Sequence, residues 1–569
     1  WALAGLAGST ASYPGARFAE GYVQSLLFSE HTWGMAGFKP KPRPPAERDL
    51  DTNASDGYRQ MRRSWEVKGD EARAAERIGT ETLKEGLAAL ASALGPRRNR
   101  GPAILVFNPL NWARTDLVRI PRAEVGLDAG QVLDAATGAR VPFQIDGQDL
   151  VLLAKDVPPV GYAVFCPSET PPEASDAPAQ ASAPGIIENA RYRVTFDPKA
   201  GAVRSIVDRE TGRELVDPEA PFLLGQYVYE GMAKIEGAGW HGSPWEGPGT
   251  GKVVPTIERT RIERGALFTR FIAEGSLPIE GFPVEIGSVR RMIQTVTVPH
   301  HLDWIECEVR LEGKQPTALA EQGNVAFPFR VTDGKIRLEL LGSVVDPETD
   351  LQDAGNRDCY AVQSWVDISG PDGGVTWCPI DTTIVTLGDF RLFYWDSSYR
   401  PANTRVYANA LNNGWSTNFQ EWQSGDFRFR FRLRSHRGSS WLAGGAPRFG
   451  RETLQPLLAT RIPDVSPGRQ ERAARESLLL AEAAATFLIN FKRAEDGDGL
   501  ILRFLNPSSE ADTVRVSLPG GPIASAERVF ANEQSLRTDK AALEVHNGAF
   551  VLPVGPFGLE TVRMRQRSR

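Results

Sequence analysis

The chain has 569 residues, 41% hydrophobic and 24% charged, with a formal net charge of −6. That length exceeds one hydrophobic core, so several domains of roughly 100–200 residues are expected. The two charge signs are dispersed, which excludes the basic stripe of a nucleic-acid binder. No apolar run reaches the ~18 residues that would cross a membrane as a helix. The four cysteines, Cys166, Cys307, Cys359 and Cys378, form no CxxC pair and give no zinc knuckle. One bridge, for instance Cys359 with Cys378, stays open, and with it the compartment. The chain starts at Trp1 with neither an initiator Met nor a signal segment, which leads us to expect the C-terminal piece of a longer protein.

Residues 1–98 read as the remnant of a helical bundle. Phe18, Tyr22, Val23, Leu26 and Leu27 recur at helical spacing between Phe18 and Phe28, and Gly34 is the kind of residue that ends such a helix. At that end stands Glu30-His31-Thr32-Trp33-Gly34. A histidine with a carboxylate before it and an indole behind it suits a metal ligand or an active-site wall. It suits equally a helix-terminal histidine interacting with the helix dipole. After the proline-rich loop Lys39 to Pro45, a long helix is expected from Ser55-Asp56-Gly57 to Gly95-Pro96, with Met61, Trp65, Ile78, Leu87, Leu90 and Leu94 among its apolar positions. At roughly 50 Å it needs lengthwise packing, so a partner helix upstream is expected.

From Ala103 the period becomes two, and the fold class is mainly β. Residues 99–167 make a small β-domain with strands around Ile104–Phe107, Leu117–Ile120, Val141–Ile145 and Leu150–Leu153. Residues 168–185, rich in Pro, Ala, Ser and acid, read as a linker or surface loop. Residues 186–445 read as a large two-sheet sandwich. There Asn189 to Phe196 alternates, Asp197 to Gly201 turns and Ala202 to Val207 returns, while Phe427 to Arg434 alternates apolar and basic residues strictly. Residues 446–569 make a C-terminal β-domain with a short helix. A break at about 440–470, marked by Gly444, Pro447, Pro456, Pro463 and Pro467, precedes a helix-like run from Glu471 to Ala484. Strands follow at Gly499–Phe504, Thr513–Val516 and Leu559–Met564.

The six histidines, at 31, 241, 300, 301, 436 and 546, form no H-x-x-x-H or H-E-x-x-H pair. His301-Leu302-Asp303 has H-x-D spacing but leads into an alternating strand from Ile305, so a strand-start pair is the default reading. No nucleophile elbow, P-loop or dinucleotide fingerprint occurs. The densest polar-aromatic cluster runs from Asn412 to Gln423, with Trp415, Asn418 and Trp422. Amides that hydrogen-bond hydroxyls both ways, beside indoles that stack on sugar faces, are what a carbohydrate site requires. The other reading is an aromatic β-loop whose Asn residues cap turns. The segment holding Trp240, His241 and Trp245 is a weaker candidate of the same kind.

Several stretches resemble, in order, the α-mannosidase-like members of family 38 of the glycoside hydrolases. They are Glu30 to Gly34 (EHTWG), Ile104 to Pro109 with Trp112 to Thr115, Asp156 to Tyr162, Ile187 to Asp208 (ENxxYxVxFD…SIxD), Asn324 to Phe329, Gln363 to Asp367, Trp415 to Asn418, and Gly499 to Val562. The resemblance implies an α/β barrel followed by a helical bundle and β-sandwich domains, the largest mutarotase-like. It implies metal-dependent retaining glycosidases, usually zinc enzymes, whose H-x-D ligands and aspartate nucleophile lie in the barrel while the bundle adds a histidine. By position, His31 is the candidate for that zinc ligand, and Trp33, Trp415 and Asn418 are the candidates for contact with a mannose-containing substrate. Nothing in this chain supplies the barrel, so no catalytic residue is assigned and the chain alone is expected to be inactive. The alternative function is a non-catalytic carbohydrate-binding or structural module. An aldose epimerase, which the mutarotase-like sandwich would suggest, needs a His and a Glu on strands, and no convincing pair is found. A homo-oligomer is left open.

Overall fold

A computed structural model of the chain describes residues 1–30, 34, 56–94, 101–126, 129–169, 185–232, 249–277, 286–317, 319–392, 394, 396–414, 420, 422–463, 472–536 and 541–566. The chain divides into two compact units, one of Gln24–Arg73 with Ala179–Leu454 and one of Trp1–Val23, Ala74–Pro178 and Gln455–Arg569.

The first unit is a β-sandwich built from three sheets. A nine-stranded antiparallel sheet shares one apolar core with a six-stranded and a four-stranded sheet. The alternation read from Phe427 to Arg434 becomes the strand Gly425–His436, in which Phe429, Phe431 and Leu433 are buried and the arginines between them are half-exposed. The hairpin Tyr192–Asp197 to Ala202–Asp208 turns where expected. Asp197 Oδ1 accepts the N–H groups of Lys199 and Ala200, and Gly201 takes a φ of +64° that a side chain would resist.

In the second unit, the strand Ala103–Asn108 lies buried between Gly161–Ser168 and Leu458–Ile462. Residues 103–168 therefore do not close their own sheet, since Leu458–Ile462 and Arg475–Ser477 complete it. One face of this sheet packs on Ile120, Leu150 and Leu152 of a three-stranded sheet. The other packs on Ala4 and Ala7 of the N-terminal segment and on Leu90, Ala91 and Leu94. A second sandwich, of four- and five-stranded sheets, closes the C-terminal part around Leu502, Phe504, Val514, Val516, Leu552 and Val562.

Three helices open the chain, α1 (Ala2–Leu6), α2 (Gly15–Ser29) and α3 (Asp56–Ala93). α2 lies antiparallel along α3. Arg17 pairs with Glu81 and Glu85 at 3.1 and 2.6 Å, and the bare Gly21 backbone admits Ile78. The apolar stripe of α2 faces outward instead, with Tyr22 and Leu26 each 69% exposed.

Two local expectations are corrected. The run Glu471–Ala484 is not a helix: its described part forms the strands Arg475–Ser477 and Leu480–Glu482. Its Leu, Ala and Glu residues favour a helix locally, but pairing with the strands Gly161–Ser168 and Asp512–Ser517 outweighs propensity. The break at 440–470 contains a real helix, Ala446–Leu454, with Pro447 in its first turn where the missing N–H costs nothing. The bridge left open for Cys359 and Cys378 is not formed. The linker is described only at 168, 169 and 185, so its remaining residues lie outside the described ones.

Candidate functional site

His31, Trp33, Trp415 and Asn418 lie outside the described residues, as do Trp240, His241 and Trp245. What the structure places is the stems that carry them. One face of α3 presents Met61, Trp65 and Lys68, four and then three residues apart, so that they share a side of the helix. Lys68 Nζ donates to the carbonyl of Leu27 at 2.5 Å and pairs with Glu30 at 3.2 Å and Glu71 at 3.4 Å. The C-terminal end of α2, two residues before His31, is therefore tied to α3. Desolvation would lower the Lys68 ammonium, but the Glu30 and Glu71 carboxylates outweigh it and hold its pKa above the ordinary value. The Glu30 carboxylate, next to His31 in sequence, lies on Lys68.

One turn toward the N-terminus, Met61 and Trp65 bury Trp422, the indoles meeting edge to face at 5.6 Å. Trp422 closes one end of the segment that carries Trp415 and Asn418. The next carbonyl, that of Gln423, accepts a hydrogen bond from Lys314 Nζ at 2.8 Å. Lys314 is fully buried and spends its other donors on Glu321 at 2.6 Å and the Gln315 carbonyl at 3.1 Å. At the other end of the segment, Asn413 Oδ1 accepts the N–H of Glu321 at 2.6 Å, and its Nδ2 donates to the carbonyls of Thr317 and Leu319. A single buried ion pair thus lies beneath both stems of 415–421. Asn413 braces the distant 317–321 segment through its side chain.

The pair needs room. A Cβ at Gly287 would sit 2.0 Å from Glu321 Oε2 and 2.7 Å from Lys314 Nζ, so only glycine fits. Burial raises the Glu321 carboxyl and, still more, the adjacent Tyr229 hydroxyl above their ordinary ranges, with Lys314 opposing the shift at Glu321.

The strands Tyr227–Gly231 and Arg405–Asn412 flank the strand Glu321–Pro328 in the six-stranded sheet, and both run antiparallel to it. Their C-terminal ends, which lead into 233–248 and 415–419, therefore leave the sheet at the same end. The two aromatic segments singled out from sequence spring from that one end although some 180 residues separate them.

Other motif residues prove architectural. Asn189 Oδ1 accepts the N–H groups of Arg191 and Tyr192, and its Nδ2 donates to the Pro299 carbonyl at 2.6 Å. The Tyr192 hydroxyl donates to the Asp303 carbonyl and accepts the Ser435 N–H, while Asp208 accepts from Ser435 Oγ and Arg191. His436 and Thr376 both reach Asp367 inside the nine-stranded sheet. His301 and Asp303 are exposed on the turn before the strand Ile305–Lys314, and Asp303 stands 3.9 Å from Arg434. Among the described residues no three His, Cys, Asp or Glu side chains converge where a metal could sit, so that part of the chain holds no complete donor set.

Sequence reasoning missed a row of buried amides on the six-stranded sheet. Its signal was present as Gln322 and Asn324, two apart in a strand whose second half, Val325 to Pro328, is apolar.

Residues 187–378 match the model of the glycosyl hydrolases family 38 C-terminal domain, and residues 487–562 that of the family 38 C-terminal beta sandwich domain. By sequence, no curated protein matches the chain. Among solved structures, an alpha-mannosidase from Enterococcus faecalis superimposes with a TM-score of 0.64 at 15% identity, over 99% of this chain and 65% of that one. A family 38 glycosyl hydrolase from the same organism gives a TM-score of 0.62 at 15% identity, over 99% and 67%. A galactose mutarotase-like protein from Lactobacillus casei covers 44% of this chain and 99% of its own at 12% identity, with a TM-score of 0.26. The chain thus spans 65% of the length of the first of these structures.

Proposed function

We propose that this chain, which carries the C-terminal domains of glycosyl hydrolase family 38, is the non-barrel part of a retaining α-mannosidase-like glycoside hydrolase acting on α-mannosides or related glycans. The observation that carries the reading is the pair of family-model matches, in order, on a chain whose fold follows an alpha-mannosidase over 99% of its length. The remaining third of that longer structure is where the catalytic carboxylates would lie.

In this reading, His31 is one neutral imidazole donor to a zinc ion shared with residues outside the chain. Bound there, the ion would hold sugar hydroxyls and stabilise charge near the anomeric carbon. Trp33 and Trp415 offer indole faces to the sugar, and the Asn418 amide hydrogen-bonds its hydroxyls. The described residues supply the support: Lys68 ties the end of α2, and the Lys314–Glu321 pair ties the stems of 415–421. Hydrolysis of an aryl α-mannoside by the whole protein, with proton NMR of the anomer released first, tests both activity and stereochemistry. First release of the α-anomer supports retention, and first release of the β-anomer contradicts it.

A further inference from the structure

On the six-stranded sheet, Tyr227, Tyr229, Val325, Phe327, Val406 and Ala408 point into the sandwich core. The residues alternating with them carry a polar chain on the opposite face. Asn412 Nδ2 donates to Asn409 Oδ1 at 2.8 Å, and Asn409 Nδ2 donates to Asn324 Oδ1 at 3.2 Å. Asn324 Nδ2 then donates to Gln322 Oε1 at 3.1 Å, and Gln322 Nε2 to Glu230 Oε2 at 2.8 Å. The carboxylate fixes the direction. It can only accept, so Gln322 must turn its NH₂ to Glu230 and its oxygen to Asn324, and each earlier amide follows suit.

The middle of this chain is sealed and its ends are not. Gln322, Asn324 and Asn409 are 1%, 0% and 3% exposed, whereas Glu230 and Asn412 are half-buried. The second carboxylate oxygen of Glu230 and the amide oxygen of Asn412 accept no hydrogen bond from the described residues. Aligned amides polarise one another, which strengthens the hydrogen bond that Gln322 donates to Glu230. Both ends therefore offer acceptors, and Asn412 keeps a second N–H. Glu230 and Asn412 are each the register partner of Gln322, so two strand spacings, roughly 10 Å, separate them. Lys252, the next residue in the row, is turned aside to Asp389 at 2.8 Å.

We propose that Glu230 and Asn412 are the two ends of a subsite for a neutral disaccharide, each end taking a sugar hydroxyl as donor. Charge-assisted hydrogen bonds from hydroxyls to Glu230 supply the stronger contact. The proposal rests on the glycan reading above and names where on this chain a glycan sits.

The test is isothermal titration calorimetry of α-mannobiose into the 569-residue chain, its Glu230→Gln variant and its Asn412→Ala variant, with Tm measured for each. Glu230→Gln keeps an acceptor for the Gln322 N–H, and Asn412→Ser replaces Asn412→Ala if the latter fails to fold. The expected result is binding by the parent chain and a rise in Kd of about tenfold or more in each variant. Unchanged Kd with a lowered Tm would make the amides a tie between strands and overturn the subsite, as would a folded parent chain that does not bind. The glycosidase reading fails separately: no turnover of aryl α-mannoside by the whole protein, with the mannobiose result intact, removes the enzyme and leaves the subsite.

Discussion

The Trp65 indole on α3 and the Trp422 indole beyond the 415–421 segment meet edge to face, with centroids 5.6 Å apart and planes at 87°. Met61 completes a small buried cluster, and Trp65 and Trp422 are only 6% and 8% exposed. Lys68, on the same face of α3, holds the end of α2. One helix therefore fixes the approach to both stretches that the sequence marked as functional.

Replacing Trp65 with Ala removes a buried indole and is expected to cost about 3 kcal/mol. Trp422→Ala should cost a similar amount. In a double-mutant cycle by chemical denaturation the two should couple by about 1 kcal/mol, the size of an edge-to-face aromatic pair. Additive losses would show that the contact is incidental.

Lys68→Met removes a charged hydrogen bond to the Leu27 carbonyl together with the Glu30 pair. Without that bond, amide hydrogen exchange over residues 24–30 should quicken about tenfold. Unaltered exchange would mean that α2 keeps its end without Lys68.

Lys314→Met leaves the Glu321 carboxylate buried without its counter-ion, an expected loss of about 3–5 kcal/mol. Lys314→Met combined with Glu321→Leu should recover most of that loss, because no lone charge remains inside. Denaturation midpoints of the two variants decide this, and a double variant as unstable as the single one would contradict it.

On the outer face of the nine-stranded sheet, Glu274 accepts hydrogen bonds from Arg259, Arg291 and Arg261, which outweigh burial and hold its pKa at about 2. A folded pKa below the ordinary 4.5 means that the carboxylate stabilises the fold at neutral pH. That contribution is lost as pH falls from 4.5 toward about 2. Glu274→Gln should therefore lower Tm at pH 7, with a deficit that shrinks between about pH 4.5 and 3. A deficit constant across that range would contradict the account.

The period-two pattern made the mainly β class legible, because half-buried strands such as Gly425–His436 print their burial directly on the sequence. The 189–208 hairpin was legible for the same reason, with Asp197 and Gly201 marking its turn. Pairing between distant segments leaves no such print. Nothing near Leu458–Ile462 or Arg475–Ser477 shows that they complete the sheet of Ala103–Asn108. The helix Ala446–Leu454 was hidden by Pro447 and Gly450, residues that usually mark loops. The Lys314–Glu321 pair escaped notice because seven residues and a turn separate two charges that ordinarily sit on a surface. Of the candidate site, the sequence marked the aromatic segments, but only the register of three strands shows that two of them leave one sheet end together.

The most direct test of the central claim is aryl α-mannoside hydrolysis by the whole protein and its His31→Ala variant, each with and without a chelator. The account predicts turnover by the parent protein, abolished by chelator and restored by zinc, and loss of both bound metal and activity in His31→Ala. Full activity and metal content in His31→Ala would contradict the assignment of His31, and a folded, metal-replete parent protein without turnover would leave a carbohydrate-binding module in place of an enzyme.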